Sequence, residues 1–266
     1  MPGIAGVISE SETRRSDVGR MLGAMSTEAF YAVRDYQNSL LNLSAGWTAH
    51  SNAPTDGAMC WNESRDIGLI FSGEDFTDPS LVLQRAGRRV EAGPSSVLAL
   101  YEALGPDFVK SLNGWFSGLI VDLRQGTVLL FNDRYGLGRI YWRETAEGLH
   151  FASEAKALLA ALPETRRLDV RGVAEAISCG SVMQDRTLFS GVALLPPASI
   201  WRYDRQVGLV KERYFHPSEW EEQTPLQAEE FYQSLKETFL RVLPRYLAAP
   251  SIAMSLTGGR SKETPR

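Results

Sequence analysis

Few side chains in this chain are placed to do chemistry, and their types limit what that chemistry could be. His50, His150 and His216 are the only histidines, and Cys60 and Cys179 the only cysteines. None of the five stands at metal-ligand spacing from another, so no metal site is expected and the cysteines suit packing in a reducing compartment. His50, near the end of a candidate strand, could act as a base or an acceptor, or could be an ordinary surface residue. Pro2, once the initiator Met is removed, would carry a secondary amine able to act as a base; the alternative is that it simply opens a strand, where a missing N–H does no harm. Ser255 to Ser261, a strand running into Thr257-Gly258-Gly259, has the make-up of an anion-binding loop, since glycines let backbone N–H groups converge on a phosphate. By itself it reads as a strand and turn with a free tail.

The elements that must position these groups are best defined between Ser111 and Lys156. Trp115 to Val121 is an apolar, β-favouring run, Arg124-Gln125-Gly126 a tight turn, and Thr127 to Phe131 the return strand. Ile140 to Trp142 and Leu149 to Ala152 form a second hairpin around Glu147-Gly148. Asn132 to Arg139 links the hairpins as a charged, glycine-punctuated loop, expected to be structured because Gly permits positive φ and Asp bonds nearby amides.

Upstream, Met1 to Ile8 is a first strand. Asp17 to Val33 has apolar residues near helical spacing, with Gly23 as a weak point. Leu40 to Ala49 reads as one or two strands, and Ile67 to Phe71 as a buried strand ended by Ser72-Gly73-Glu74. Ser80 to Arg85 and Ser95 to Leu104 read as helices, the second capped by Ser95 or Ser96. Downstream, Glu154 to Leu162 and Asp169 to Ile177 are helical, Tyr214 to Thr224 is a linker with breakers on either side, and Leu226 to Leu247 is a long amphipathic helix. The whole is an α+β chain with strands dominating its first two-thirds.

Composition excludes several function classes. The 266 residues carry 44% hydrophobic and 23% charged side chains, as an ordinary globular protein does. A formal net charge of −4 gives no broad basic field for nucleic acid or an anionic membrane. Arg85, Arg88, Arg89, Arg166 and Arg167 read as solvated faces. No basic-then-apolar leader and no bilayer-length apolar run is present, so a cytoplasmic location is expected.

Leu112-Asn113-Gly114-Trp115-Phe116, Asp133-Arg134-Tyr135-Gly136, Ile140-Tyr141-Trp142 and Ala152-Ser153-Glu154-Ala155-Lys156, in that order and spacing, resemble the N-terminal glutaminase domain of the glutamine-hydrolysing asparagine synthetases, which are class II glutamine amidotransferases. The likeness runs from Met1 to about Tyr214. It implies a four-layer αββα sandwich of the N-terminal-nucleophile hydrolase type over 1–214, a linker over 215–225, and over 226–266 the start of a synthetase domain with a short βα fragment of an ATP-pyrophosphatase fold. The family reaction is ATP-dependent transfer of the glutamine amide nitrogen to aspartate, with ATP and Mg as cofactors, none of them expected on this chain. The pyrophosphate loop would be Ser255, Thr257, Gly258, Gly259 and Ser261, although the family's Asp before the last Ser is missing. The chain stops at Arg266, which reads as a truncated synthetase domain.

The resemblance also locates the family's catalytic groups, and here they are replaced. The family opens Met-Cys-Gly-Ile, where the Cys thiol attacks the glutamine amide and its own amine is the base; Pro2 holds that position. The arginine that grips the substrate carboxylate is absent from Gly46 to His50. The Asn-Gly-Glu oxyanion element is Ser72, Gly73 and Glu74, a partly degenerate glutamine pocket. The Asp that holds the substrate ammonium falls on Pro94, or on Gly93 or Ser95. These replacements imply a domain that no longer hydrolyses glutamine and instead binds or scaffolds, as a homodimer or beside a separate synthetase domain; the alternative is an enzyme that uses the Pro2 amine.

Overall fold

The computed structural model describes residues 3–50, 59–90 and 93–248. The chain divides into two compact units, Met1–Glu219 and Trp220–Arg266. In the first unit the strands are β1 (Gly3–Ile8), β2 (Tyr31–Asn38), β3 (Leu43–His50), β4 (Cys60–Trp61), β5 (Ile67–Asp75), β6 (Gly114–Asp122), β7 (Thr127–Asn132), β8 (Tyr141–Thr145), β9 (Gly148–Ala152), β10 (Ala193–Leu194), β11 (Ser199–Asp204) and β12 (Gly208–Arg213). The helices are α1 (Glu12–Arg15), α2 (Asp17–Met25), α3 (Pro79–Ala86), α4 (Pro94–Leu104), α5 (Ala155–Ala161) and α6 (Val170–Cys179). A short α7 (Ser218–Glu221) follows, and the second unit contains α8 (Ala228–Tyr246).

The strands form two six-stranded antiparallel sheets, ordered β10-β8-β9-β1-β3-β2 and β12-β11-β7-β6-β5-β4. Alternation along each strand sorts side chains between the two faces. Ile4, Ile8, Leu43 and Trp47 of the first sheet meet Ile70, Leu119, Val121 and Leu130 of the second in a common core. On the outer face of the first sheet, Ala5 and Val7 pack under Val18, Met21, Leu22 and Met25 of α2 and Ala157 and Leu158 of α5. On the outer face of the second, Ile67, Leu69, Phe116 and Phe131 pack under Val97, Leu98, Leu100 and Tyr101 of α4. Helix, sheet, sheet, helix is the four-layer α+β sandwich that the sequence implies.

Two boundaries differ from the sequence reading. The helix expected to run to Val33 ends at Met25, with Ser26 as its C-cap, and residues 31–38 form β2 instead. Met25, Ala29 and Val33 sustain a helical apolar spacing, yet pairing of β2 with β3 over eight residues satisfies the backbone better. β5 does not stop before Ser72. It continues to Asp75, because Ser72, Gly73, Glu74 and Asp75 stay in register with Ser117, Phe116, Trp115 and Gly114 of β6.

Candidate active site

β1 lies at the middle of its sheet, flanked by β3 and β9, and every one of its residues is buried. Its second residue, Ile4, is held by Ser153, which precedes α5. The Ile4 N–H donates to Ser153 Oγ at 2.9 Å, and the Ser153 N–H donates to the Ile4 carbonyl at 2.8 Å. A Cβ on Gly3 would lie 2.7 Å from Ser153 Cβ and 3.0 Å from Met25 Cε, so only glycine fits this close approach. Pro2 precedes it in sequence and lies outside the described residues, as do Ser255, Thr257, Gly258, Gly259 and Ser261.

β5 touches β1 across the space between the sheets. Ile70 points into that space and Ile67 and Leu69 point to the helices, so alternation places Ser72 and Glu74 on the side of β1. Gly73 between them has φ of 122°, and a Cβ there would meet the Trp115 carbonyl oxygen at 2.2 Å. The structure therefore sets β1 and the strand carrying Ser72, Gly73 and Glu74 against each other across the space between the two sheets. His50 is exposed at the C-terminal end of β3, two residues beyond Thr48, which pairs with Gly3 at the start of β1; its ring stacks on Phe30 at 4.8 Å with 8° between planes.

The start of α4 holds a group that the sequence reading misses. Gly93 is the N-cap and Pro94 the first helical residue, so this turn has no acidic side chain of its own. Asp75 reaches it from β5: its carboxylate accepts from Ser96 Oγ at 3.1 Å, and from the Thr77 N–H at 3.0 Å and hydroxyl at 2.5 Å. Burial pushes the Asp75 carboxyl above its ordinary range, against the opposing pull of the Thr77 and Ser96 donors. Its position directly after Gly73-Glu74 was the available signal; the bond to a helix 21 residues on was not visible in sequence.

The loop between the hairpins is organised by Asp133, which is wholly buried. Its carboxylate accepts four backbone N–H groups, from Gly138 at 2.6 Å, Tyr135 at 2.9 Å, Leu137 at 3.2 Å and Phe116 at 3.3 Å. The Asp133 N–H returns a bond to the Phe116 carbonyl at 2.9 Å. Phe116 is the β6 residue opposite Gly73, so this loop fixes the strand against which the Ser72-Gly73-Glu74 segment is aligned. Asn132 ties the same loop to β11, accepting from the Ser199 N–H at 2.8 Å and donating to the Pro196 carbonyl at 3.0 Å.

Two buried charge clusters lie outside this layer. His150 Nε2 is 3.1 Å from Asp17 Oδ2, with Arg20 also paired to Asp17. Burial pushes the His150 imidazole below its usual value, outweighing the pull of Asp17. Asp122 is also wholly buried. Burial alone would raise its carboxyl, but bonds from Arg124, the Gln125 N–H and the Tyr101 hydroxyl prevail and lower it. Burial and that same carboxylate push the Tyr101 hydroxyl well up. Among the described residues no group of three or more His, Cys, Asp or Glu side chains could hold a metal. No helix among them is long and apolar enough to cross a membrane.

A four-layer sandwich with the start of a central strand packed against a Gly-Glu-bearing strand defines an N-terminal-nucleophile hydrolase type of fold. The profile of the glutamine amidotransferase domain matches residues 1–215, and the chain belongs to that family. Among curated relatives, asparagine synthetase 3 of Bacillus subtilis is 26% identical over 159 residues, covering 54% of this chain and 26% of the relative. A putative asparagine synthetase 2 of Methanocaldococcus jannaschii is 31% identical over 97 residues, 36% of this chain and 19% of the relative. The chain thus spans about a fifth to a quarter of the length of these relatives. Among solved structures, glutamine phosphoribosylpyrophosphate amidotransferase from B. subtilis superposes with a TM-score of 0.52 at 12% identity, over 80% of this chain and 49% of that one. That likeness concerns the fold alone.

Proposed function

We propose that the first unit is a glutaminase-type domain that no longer hydrolyses glutamine and acts as a binding or scaffolding partner of an asparagine-synthetase-type domain, on the same or another polypeptide. One observation carries this reading: in the sequence, Pro2 stands where the resembling family has its Cys, and proline has neither thiol nor hydroxyl to form an acyl intermediate. The surroundings support it. Ser72 cannot supply an amide N–H donor at the reach of an asparagine; losing such a donor typically costs about 10² to 10³ in rate. Pro94 opens α4 without an acceptor, and His50 stacks on Phe30 in a region that lacks a carboxylate-gripping arginine. Glutamine recognition without turnover is compatible with what remains, since Glu74 stays on the face toward β1, while Asp75, on the opposite face, supplies a carboxylate at the start of α4. ATP and Mg would belong to the partner domain.

The test is ammonia release from glutamine by the purified chain, beside a catalytically competent family member. A rate equal to the buffer blank is expected. Release above the blank would overturn the reading and direct attention to the Pro2 amine or His50 as the reacting group.

A further inference from the structure

The helix of the second unit, α8, has 19 residues and none of them is buried. Its apolar side chains are nonetheless ordered along it. Ala228, Tyr232, Leu235, Phe239, Val242 and Tyr246 follow one another in alternating steps of four and three, the spacing of a coiled-coil seam. Tyr232, Leu235 and Phe239 are 67%, 53% and 59% exposed, and Val242 is half-buried. Phe231 and Leu243 border the seam, one on each side. Glu230, Glu237 and Pro244 fall on the opposite face, so the proline in the last turn lies away from the seam. Most helical stability in water comes from packing an amphipathic face rather than from propensity. A seam of this length therefore calls for a partner helix.

The seam reads the same in both directions. About a two-fold axis level with Glu237, an antiparallel copy sets Ala228 level with Tyr246, Tyr232 with Val242, and Leu235 with Phe239. Each level joins a larger side chain to a smaller one, which is how facing helices interdigitate without voids. Charge is not symmetric along the helix. Glu229 and Glu230 stand in its first turn, whereas Arg241 and Arg245 stand in its second half. Antiparallel pairing lays the acidic end of one helix beside the basic end of the other and opposes their dipoles; parallel pairing would lay like charges together. The charge pattern thus selects a second α8 in the antiparallel direction.

We propose that α8 pairs antiparallel with α8 of a second copy of this chain, making the protein a two-fold dimer through its second unit. The contact is isologous and closes on itself, so it yields dimers rather than filaments. It does not rest on the glutaminase-type reading, because every residue of α8 lies outside the first unit.

The experiment is sedimentation equilibrium of the full chain over about 1 to 200 μM, the span in which micromolar association is resolved. A monomer–dimer equilibrium is expected. Leu235→Glu and Phe239→Glu each place a carboxylate in the seam and should each weaken dimerisation about thirty-fold or more, with the melting temperature of the first unit unchanged. Glu229→Lys with Glu230→Lys should weaken it, as should Arg241→Glu with Arg245→Glu, and the chain carrying all four changes should dimerise again. A monomer throughout the range would overturn the proposal, as would a dimer that survives both Leu235→Glu and Phe239→Glu. Failure of the four-fold charge exchange to restore association would overturn the antiparallel pairing. A chain that stays monomeric and gains mass only when a separately expressed synthetase-type domain is added would assign the seam to that domain instead.

Discussion

Asp133→Asn should be the most informative single change in the scaffold, because the carboxylate uses both oxygens. Oδ1 accepts from Tyr135 and Leu137, and Oδ2 from Gly138 and Phe116. An asparagine offers one oxygen, so one pair would face an amide NH₂, donor against donor. Tyr135 and Leu137 are exposed and water can reach their amides, so the retained oxygen matters most for Gly138 and Phe116. In either orientation, two charge-assisted bonds are lost, at about 1.5–3 kcal/mol each, and the other two become neutral. Discounting the 3.2 and 3.3 Å contacts as the weaker members gives about 3–4 kcal/mol. The assay is urea unfolding followed by tryptophan fluorescence, at constant m. With m near 2–3 kcal/mol/M, the midpoint should fall by about 1–2 M. Arg139→Ala, an exposed change in the same loop, should stay within about 0.5 kcal/mol. A shift under about 0.3 M for Asp133→Asn, with m unchanged, would show that water or loop rearrangement replaces those bonds and would refute the hub reading.

Three further outcomes follow from the same geometry. His150 is held below its ordinary value of about 6.5, so the unfolded chain takes up a proton that the folded one refuses. Stability from this residue is complete above about pH 6.5, is lost as pH falls toward the depressed folded value, and levels off below it; His150→Gln, which can still donate to Asp17, should flatten the midpoint-versus-pH curve between about pH 6.5 and 5. Gly73→Ala combines a φ of 122° with a Cβ 2.2 Å from the Trp115 carbonyl and should cost about 2–4 kcal/mol in thermal or urea unfolding; a loss below about 1 kcal/mol would mean that β5 and β6 separate easily at this point. Pro2→Cys alone should release no ammonia from glutamine above the blank, since Ser72, Pro94 and the missing arginine remain; activity in that single variant would show that those replacements do not matter.

The two hairpins were legible because their strands alternate cleanly and Gly126 and Gly148 mark their turns; both glycines adopt positive φ. β2 was not, because it is an edge strand that packs only Tyr36 against the core, which leaves little alternation to read, and because Met25, Ala29 and Val33 mimic a helical stripe. The glycine of the Ser72-Gly73-Glu74 segment was recognisable from the family pattern, but its physical reason, the approach of Trp115, needs β6 beside it. Asp133 was recognisable as a turn former. Its bond to Phe116, 17 residues earlier, is tertiary and leaves no local trace. Asp75 escaped for the same reason: nothing near it in sequence announces a helix start that packs above it.

The fold is held by groups that do not depend on whether glutamine is hydrolysed. The groups that define the architecture act through the backbone: Asp133 on the amides of Phe116 and Gly138, Ser153 on Ile4, Gly73 on the approach of Trp115. Each would cost on the order of a kcal/mol or more to replace, so each is held in place by folding whether or not glutamine is hydrolysed. Of the other positions named in the proposed reading, His50 closes β3 and Pro94 opens α4, whereas Ser72 lies within β5. The same separation predicts the sign of any attempt to restore activity: changes at strand and helix ends should leave the unfolding midpoint almost unmoved, whereas changes at Asp133 or Gly73 should lower it before any effect on catalysis could be measured.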